Sequence, residues 1–244
     1  MRVLSRGRSV ATAELARRFR VNPMTIRRDL RALEDSGLAV RRYGGALAAR
    51  RISFEFNFDQ RHRRHLPEKR RIGAAAAAQV RPGETVFLDT GTTTLEIAAA
   101  LARRGVPCRV ITSSLVVGSR LWACERIELL LLGGRVRRGS PELAGPGTEV
   151  MLERLTADVG FLGSDGIDPA RGSFARDIEA ARVAERMAAG ARRVVVVADG
   201  SKLGSAGPAR CVRIEEMDEL ITDRRAPARQ VAALRRAGVK VTLV

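Results

Sequence analysis

The sequence predicts an α/β protein that carries a small helical domain at its amino terminus. Beyond about residue 70, short apolar strands alternate with alanine-rich helical stretches, a pattern typical of a largely parallel sheet covered by helices. The first fifty residues differ, because they contain two short helical patterns, an intervening turn and a glycine pair. At 244 residues the chain is long enough to bury a core as one large domain or as two modest ones, and length does not choose between them.

Two short helices separated by a turn are predicted in the first forty residues. Helical patterns lie on either side of "RVN" in the stretch "TAELARRFRVNPMTIRRDLRALEDSG". Asn22 is suited to cap the second helix and Pro23 to begin it, and Gly37 is expected to end it. The residues of this helix that we expect to face inward are Ile26, Leu30 and Leu33.

A β-hairpin is predicted after the second helix. The stretch "VRRYGGA" places two arginines before a glycine pair, and we expect Gly44-Gly45 to form the turn between two short strands. Two helices joined by a turn and followed by such a hairpin are typical of a winged helix-turn-helix. Domains of this kind place the second helix in the major groove of DNA.

Positive charge is concentrated in this first domain. The chain has 44 Lys and Arg against 27 Asp and Glu, and residues 1–51 alone hold thirteen arginines and four acidic residues. Several arginines fall on the face of the second helix opposite its apolar side, which favours a polyanionic partner over a merely solvated arginine face. The residues we expect to contact DNA are Met24, Thr25, Arg27, Arg28, Arg31, Arg41, Arg42, Gly44 and Gly45.

The stretch "ELARRFRVNPMTIRRDLRALEDSGLAVRRYGGA" resembles the amino-terminal domain of DeoR-family bacterial transcriptional regulators. The family signature runs through a T-I-R-R-D-L helix and an R-x-x-G-G-A wing, and both are present here. Asn22 stands where the family usually has Ser, and either residue caps a helix. The family begins with a longer first helix than "MRVLSR" allows, so we expect either a misassigned start or a shortened helix.

Seven strands and six helices are predicted in the remainder of the chain. The candidate strands are 86–89, 109–112, 127–132, 159–163, 193–198, 219–222 and 239–243. The candidate helices lie near 67–79, 93–103, 115–123, 148–156, 177–189 and 227–237. Ligands of parallel sheets bind beyond the carboxyl ends of the strands. The polar or glycine-containing segments that fall there are 89–94, 112–114, 163–168 and 198–202.

A phosphate-binding turn is predicted at residues 86–101, "VFLDTGTTTLEIAAAL". The segment runs from an apolar strand through one glycine and three threonines into a helix. The first N–H groups of a helix have no partner within the helix, and together with the helix dipole they attract anions. This segment alone leaves open whether the phosphate belongs to an enzyme's substrate, a sensor's ligand or a nucleotide.

The second half of the chain resembles the sensor domain of the same family, which is similar to ribose-5-phosphate isomerase and related phosphosugar-binding folds. The resemblance implies a Rossmann-like sensor domain in which the glycine and threonines hold a phosphate and two aspartates meet sugar hydroxyls. Thr112-Ser113-Ser114 stands where the family commonly has Thr-Asn-Ser, which leaves the identity of the sugar open. The implied effector-binding residues are Asp89, Gly91, Thr92, Thr93, Thr94, Ser113, Asp165 and Lys202.

The main alternative to a sensor is a sugar-phosphate isomerase or transferase fused to a DNA-binding domain. Such chemistry needs a carboxylate base, and "DGID" (165–168) resembles part of the isomerase acidic motif. The glycine-rich lysine loop that follows in those enzymes is replaced here by "PARGSFARDIEAARVAERM". A nucleotide-binding P-loop would need G-x-x-x-x-G-K-[ST], which does not occur. The family resemblance implies a repressor of a sugar or carbohydrate catabolism operon, not an enzyme, that a phosphorylated sugar releases from its operator.

The expected organisation is a DNA-binding domain (1–51), a linker (52–70) and an α/β phosphosugar-sensing domain (71–244). Reading paired half-sites requires at least a dimer. The expected partners are therefore double-stranded operator DNA, a phosphorylated sugar and further copies of the chain. The longest apolar runs are strand-sized and no secretory signal is visible, so we expect a cytoplasmic protein without a membrane span.

No cofactor and no resident metal ion are expected. The three cysteines, at positions 108, 124 and 211, form no C-x-x-C pair and are odd in number, which argues against a zinc site and a disulfide framework. His62 and His65 are three residues apart in a basic stretch, where a linker or solvated helix is favoured over a metal site.

Overall fold

The computed structural model describes residues 10–35, 39–42, 45–48, 52–137 and 140–244, with side chains described in 11–31, 45, 58–137 and 140–244. The chain divides into two compact units, residues 1–59 and 60–244. The expectation of a shortened helix or misassigned start concerns "MRVLSR" (1–6), and the expected helix stop concerns Gly37. Both positions lie outside the described residues.

Among the described residues of the amino-terminal unit, those up to position 48 form two helices and a three-stranded antiparallel sheet. These elements are β1 (Val10–Ala11), α1 (Thr12–Phe19), α2 (Pro23–Asp35), β2 (Ala39–Arg42) and β3 (Gly45–Ala48). The strand order is β1-β3-β2. The predicted cap is confirmed, because the N–H of Met24 donates to Asn22 Oδ1 at 2.8 Å, and α2 begins at Pro23. Ile26 and Leu30 are buried as predicted, and the unit has the architecture of a winged helix-turn-helix.

Gly45, predicted to form the turn of the wing with Gly44, belongs to a strand instead. It pairs with Arg42 across β2 and β3, and residues 43 and 44 lie outside the described residues. Gly45 is the first residue of β3 and pairs on its other side with Ala11 of β1. Two-residue connections are the commonest in β-hairpins, and the strand pairing draws Gly45 out of the turn and into the sheet.

Two helices follow the winged domain. They are α3 (Ile52–Arg63) and α4 (Leu66–Ala78). His65 lies between them in the left-handed conformation with φ of +56°, which allows the chain to turn sharply from one helix to the next. The segment expected to be a linker, 52–70, is therefore helical apart from the turn at residues 64 and 65.

The rest of the carboxyl-terminal unit alternates strands with helices. In chain order the elements are β4 (Thr85–Leu88), α5 (Thr92–Arg104), β5 (Cys108–Thr112), α6 (Leu115–Leu121), β6 (Ile127–Leu131), β7 (Arg135–Val136), β8 (Leu143–Ala144), α7 (Pro146–Leu152), β9 (Val159–Gly163), β10 (Gly166–Asp168), β11 (Gly172–Ala175), α8 (Ile178–Gly190), β12 (Val194–Val197), β13 (Ala209–Val212), β14 (Glu219–Thr222), α9 (Ala228–Arg236) and β15 (Lys240–Leu243). Short 3-10 turns form at Gly200–Lys202 and Ile214–Glu216.

The seven predicted strands all belong to one parallel sheet with the order β15-β14-β12-β9-β4-β5-β6. The α/β fold class is thereby confirmed. The sequence did not predict the second, antiparallel sheet of order β10-β11-β13, nor the pair β7-β8. These strands have only two to four residues each, too few for an alternating apolar pattern to stand out.

Both faces of the parallel sheet are buried. The residues of β12 show this directly, because Val194 and Val196 belong to one apolar cluster whereas Val195 and Val197 belong to another. Successive side chains of a strand point to opposite faces, so an unbroken apolar run such as "VVVV" indicates a strand covered by helices on both sides.

Helices α4 and α5 pack against each other at very short range. A Cβ placed on Gly73 of α4 would lie 2.6 Å from the carbonyl carbon of Glu96 in α5, closer than real Cβ contacts allow. A side chain at this position would therefore push the two helices apart. Because α5 begins at the predicted phosphate-binding turn, this crossing fixes the position of that turn relative to α4.

We expect Gly73→Ala to lower the free energy of unfolding by about 1–3 kcal/mol, because the clash outweighs the better helix propensity of alanine. Denaturant titration monitored by circular dichroism would measure this. Gly147→Ala is the matched control, since Gly147 lies in α7 and an added Cβ there has no neighbour within 4 Å. Equal stabilities of the two variants would show that α4 and α5 are not packed this closely.

Candidate functional site

An exposed basic face lies on helix α2 of the amino-terminal unit. Met24 is 63% exposed, and Arg27, Arg28 and Arg31 are exposed beside it. Thr25 is half-buried on the flank of the helix. The Arg27 guanidinium contacts the Met24 sulfur at 3.7 Å. Because the apolar side of α2 packs inward, this basic face is the side that is available to a groove of DNA.

The remaining residues that we predict to contact DNA belong to the wing. Arg41 and Arg42 lie on β2, and Gly45 is buried at the start of β3. Gly44 and the side chains of the two arginines lie outside the described residues, so their part in DNA contact stays a prediction.

A cavity of about 370 Å³ lies at the carboxyl edge of the parallel sheet in the second unit. The segments that follow β4, β9 and β12 surround it, together with the start of α5 and the turn before α4. This is the edge at which parallel α/β sheets bind ligands. The predicted effector-binding residues that line the cavity are Asp89, Gly91, Thr92, Thr93, Asp165 and Lys202.

Thr94 and Ser113, two further predicted residues, do not line the cavity. Thr94 is fully buried, and its hydroxyl donates to the carbonyl oxygen of Gly91 at 3.1 Å. Ser113 is also fully buried, and its carbonyl oxygen accepts from the N–H of Leu143 at 2.8 Å. Within the described part of the chain, the Ser113 hydroxyl has no hydrogen-bond partner. Thr94 therefore stabilises the turn through its hydrogen bond to Gly91. Ser113 is buried away from the cavity surface in this structure.

The start of helix α5 forms one wall of the cavity. Gly91 has a φ of +139°, a conformation that L-residues rarely adopt, and it turns the chain from β4 into the helix. None of the described side chains caps α5. Thr92 and Thr93 line the cavity next to it. The first amides of the helix are therefore available as donors to an anion.

Basic side chains outnumber acidic ones around the cavity. The basic residues in its lining are Arg61, Arg64, His65, Lys69, Arg137, Arg176 and Lys202. The acidic residues are Asp89, Glu142, Asp165 and Asp199. An excess of cations beside an uncapped helix start favours an anionic ligand, and the carboxylates provide acceptors for hydroxyl groups.

Lys69 is a cavity residue that the sequence did not predict. It is only 5% exposed, and its ammonium donates to the carbonyl oxygens of Arg61 and Arg64, the latter at 2.8 Å. The pKa of Lys69 is lowered to about 8, mainly by burial and also by the positive charges of Lys202 and Arg61, whereas Asp199 acts to raise it. The chain has only three lysines among 44 basic residues, and two of them line this cavity, so their scarcity was a usable signal.

Asp89 is a buried carboxyl that links two neighbouring strands. Its Oδ2 accepts from the N–H of Gly163 at 2.9 Å, which ties the end of β4 to the end of β9. Burial raises the pKa of Asp89 to about 7, the charges of Glu142 and Asp165 add to the effect, and backbone N–H groups oppose it. Near neutral pH this group therefore exchanges between a carboxylate and a carboxylic acid.

A chain of hydrogen bonds and ion pairs fixes a further part of the lining. The Thr90 hydroxyl donates to Glu142, and the Arg137 guanidinium pairs with Glu142 and, at 2.9 Å, with Asp177. Asp177 in turn caps α8 by accepting from the N–H of Glu179 at 2.9 Å. Thr90, two residues after the end of β4, is thereby connected to the start of α8.

The described residues include no group of three or more His, Cys, Asp or Glu that could hold a metal ion. His62 lies with its Nε2 2.6 Å from Glu96 Oε1 in α5. The described part of the chain also has no helix of sufficient length and hydrophobicity to cross a membrane.

Comparison with protein families agrees with both halves of this structure. The DeoR-like helix-turn-helix domain matches residues 1–51, and the DeoR C terminal sensor domain matches residues 64–224. The chain belongs to the DeoR family of DNA-binding transcriptional regulators.

Similar proteins are named as transcriptional regulators. The HTH-type transcriptional regulator GlpR of Haloferax volcanii is 37% identical over 97% of this chain and 91% of its own length. The glycerol-3-phosphate regulon repressor of Escherichia coli K12 is 33% identical over 88% of this chain and 84% of its own. The HTH-type transcriptional repressor CsqR of Escherichia coli K12 is 32% identical over 94% and 87%, respectively.

Among solved structures, ribose 5-phosphate isomerase A from Neisseria gonorrhoeae is similar with a TM-score of 0.42 and 20% sequence identity. The similarity covers 55% of this chain and 52% of that chain. A likeness this distant bears on neither activity nor ligand.

We expect Arg28→Ala and Arg31→Ala each to weaken DNA binding. The loss should be about 1–3 kcal/mol if the arginine contacts a base. If the arginine contacts a phosphate, the affinity of the variant should also depend less steeply on salt concentration. Fluorescence anisotropy with a duplex that the protein selects from a random library, repeated across salt concentrations, measures both effects. Arg229→Ala, an exposed arginine of the other unit, is the control. Wild-type binding by both α2 variants at every salt concentration would rule out this face.

We expect Asp89→Asn to change how stability depends on pH. The pKa of Asp89 rises from 3.8 to about 7 in the native state, so its stabilising effect is complete below about pH 4 and is lost as the pH rises to 7. Relative to the variant, the wild type should lose up to about 4 kcal/mol over this range. Denaturant titrations at several pH values test this, with Glu125→Gln, an exposed carboxyl, as control. Parallel curves for wild type and Asp89→Asn would contradict it.

Proposed function

We propose that the protein is a repressor that binds operator DNA through its amino-terminal unit and leaves the operator when a phosphorylated sugar occupies the cavity. The observation that carries the proposal is the uncapped start of α5, which faces a cavity whose cations outnumber its acids. A DNA-binding regulator with such a cavity needs a small anionic ligand rather than a second macromolecule.

The phosphate of this ligand is assigned to the turn at the start of α5. A phosphate dianion accepts hydrogen bonds at three oxygens, and the amides and hydroxyls of residues 91–93 supply donors there. Lys202 follows β12 on the same side of the sheet and adds a compact positive charge. Charge and donor geometry at this turn therefore suit a phosphate better than a neutral sugar.

The sugar portion is assigned to the acidic part of the cavity. Asp89, Asp165 and Asp199 lie in the lining, as do the hydroxyl-bearing Ser164 and Ser201. Carboxylates and hydroxyls are the groups that recognise sugar hydroxyls by hydrogen bonding. A volume of about 370 Å³ is at the small end of ligand pockets, which favours a monosaccharide phosphate or a smaller polyol phosphate.

The names of similar proteins support repression rather than activation of transcription. Two of them are called repressors, and one of these is the repressor of a glycerol-3-phosphate regulon. We extend repression to this chain on that basis. We also propose an oligomer of at least two copies, because winged helix-turn-helix proteins commonly read paired half-sites.

One observation favours the alternative, an isomerase or transferase acting on the same ligand. A carboxyl with a pKa of about 7, that of Asp89, lies in the cavity, and general acid–base catalysis works best near that value. Against catalysis, Asp89 Oδ2 is engaged by Gly163, and the similar proteins are named as regulators. We therefore propose a sensor without turnover.

We expect Lys202→Met to weaken the ligand roughly 10-fold to 100-fold, because it removes one charge-assisted contact worth about 1.5–3 kcal/mol. DNA binding without ligand should be unchanged, and excess ligand should still release the operator. The assay titrates the operator complex with ribose 5-phosphate, glycerol 3-phosphate and fructose 6-phosphate. Lys240→Met is the control, since Lys240 lies outside the cavity lining and its partner Glu219 keeps the hydrogen bond from Thr242.

Two results of this assay would overturn parts of the proposal. An unchanged release curve for Lys202→Met would remove Lys202 from the site. Conversion of the effective sugar phosphate by the wild-type protein, followed in parallel by chromatography, would establish the enzyme instead of the sensor.

A further inference from the structure

We infer that Lys69 is the residue that couples occupation of the cavity to helix α3, by exchanging its hydrogen bonds between the end of that helix and the phosphate of the ligand. The inference rests on the proposed function and concerns how that same site is read. It assigns Lys69 the coupling of ligand binding to α3, whereas Lys202 contributes to ligand affinity.

Lys69 holds the carboxyl end of α3. The carbonyl oxygens at the end of a helix have no partner within the helix, and a cation placed there both satisfies them and interacts favourably with the helix dipole. The Lys69 ammonium donates to the carbonyl oxygen of Arg61, in the last turn of α3, and to that of Arg64, one residue beyond its end. Because Lys69 is only 5% exposed, few water molecules can replace these two carbonyls as hydrogen-bond acceptors for its ammonium group.

The same short segment faces the cavity. Arg61, Arg64, His65 and Lys69 all contribute to its lining, so a ligand meets the end of α3 and the ammonium that holds it together. Lys202 is close enough for its charge to act on Lys69. A phosphate bound near Lys202 therefore lies within the electrostatic reach of Lys69 as well.

Helix α3 is also the covalent connection between the two units. It begins at Ile52, four residues after strand β3 ends at Ala48, and it ends at Arg63. A change at its carboxyl end therefore acts on the segment that leads directly to the winged domain.

Phosphate is a stronger acceptor for the Lys69 ammonium than two peptide carbonyls are. A phosphate oxygen carries negative charge and a peptide carbonyl does not, so the ammonium gains a full charge–charge attraction at the phosphate. The burial that lowers the pKa of Lys69 to about 8 also indicates that its present partners compensate its charge incompletely. A dianion in the cavity should therefore draw the ammonium away from α3.

Loss of these hydrogen bonds would remove the Lys69 contacts from the end of α3 and leave the contact of His62 with Glu96 to hold its last turn. The adjoining His65 has a φ of +56°, a conformation that is unfavourable for a residue with a side chain and persists only where its surroundings hold it. Lys69 thus makes different contacts in the two states, with α3 in one and with the ligand in the other. Such differential contact is the requirement for a ligand to shift an equilibrium.

The test separates ligand affinity from coupling in the full chain. Calorimetry with ribose 5-phosphate, glycerol 3-phosphate or fructose 6-phosphate gives the affinity, and operator binding at zero and saturating ligand gives the coupling factor. For the wild type we expect saturating ligand to weaken operator binding roughly 5-fold to 150-fold. For Lys69→Met and Lys69→Gln we expect less than about a 3-fold change at saturation, whereas Lys202→Met keeps the wild-type factor once saturated.

Ile72→Val controls for a general loss of stability. Ile72 lies on the same helix as Lys69, is fully buried and does not line the cavity, so it should lower the melting temperature and leave the coupling factor intact. Lys69→Gln retains amide donors for the carbonyls, so the coupling factor can still be measured in this variant if Lys69→Met does not fold. A wild-type coupling factor in either Lys69 variant overturns the inference. Failure of all three compounds to bind the wild type refutes the proposed function, and the inference with it.

Discussion

The start of helix α5 determines the chemistry of the carboxyl-terminal unit. Its first amides are not capped by any described side chain, and the helix cannot move to find other partners, because its apolar side is fully buried at Ile97 and Leu101. The close crossing at Gly73 holds it against α4 as well. Donors fixed in this way favour an anion at one defined place, and the rest of the cavity is arranged around that place.

Burial shifts the pKa values of two ionisable groups of the cavity toward neutral pH, one downward and the other upward. The pKa of Lys69 falls to about 8 and that of Asp89 rises to about 7, each mainly because the surrounding protein excludes water. Both charges are therefore easily changed by a ligand that brings its own charge and hydrogen bonds. In the coupling that we infer, the response of Lys69 acts on helix α3, whose carboxyl end lines the cavity.

The sequence predicted the elements that are defined by long local patterns. The apolar runs of the seven parallel strands and the N-cap at Asn22 depend on neighbouring residues alone, and both are found as expected. The strands β10, β11 and β13 were missed because each has only three or four residues and gains its stability from pairing with the others. Gly45 was expected in the turn of the wing for a similar reason, since its pairing with β1 cannot be predicted from its neighbours in sequence.

The site was predictable where a loop follows a strand and less so elsewhere. Asp89, Gly91 and Lys202 follow the ends of parallel strands, which topology brings to one edge. Lys69 lies within a helix, in the charged stretch "PEKRR", and reaches the cavity only because the chain turns sharply at His65. Ser113 satisfied the same topological rule but is fully buried, because the direction of a side chain depends on packing that a single sequence does not specify.

Pairs of compounds that differ only in the phosphate test whether one phosphate-binding cavity controls the release of DNA. Operator binding is measured with increasing ribose 5-phosphate and, separately, with ribose, and the pair is repeated for glycerol 3-phosphate and glycerol and for fructose 6-phosphate and fructose. We predict that at least one phosphorylated compound weakens the operator complex in a saturable way while its unphosphorylated partner has no effect at the same concentration. Equal effects of both members, or saturable release by an unphosphorylated sugar alone, would contradict the account.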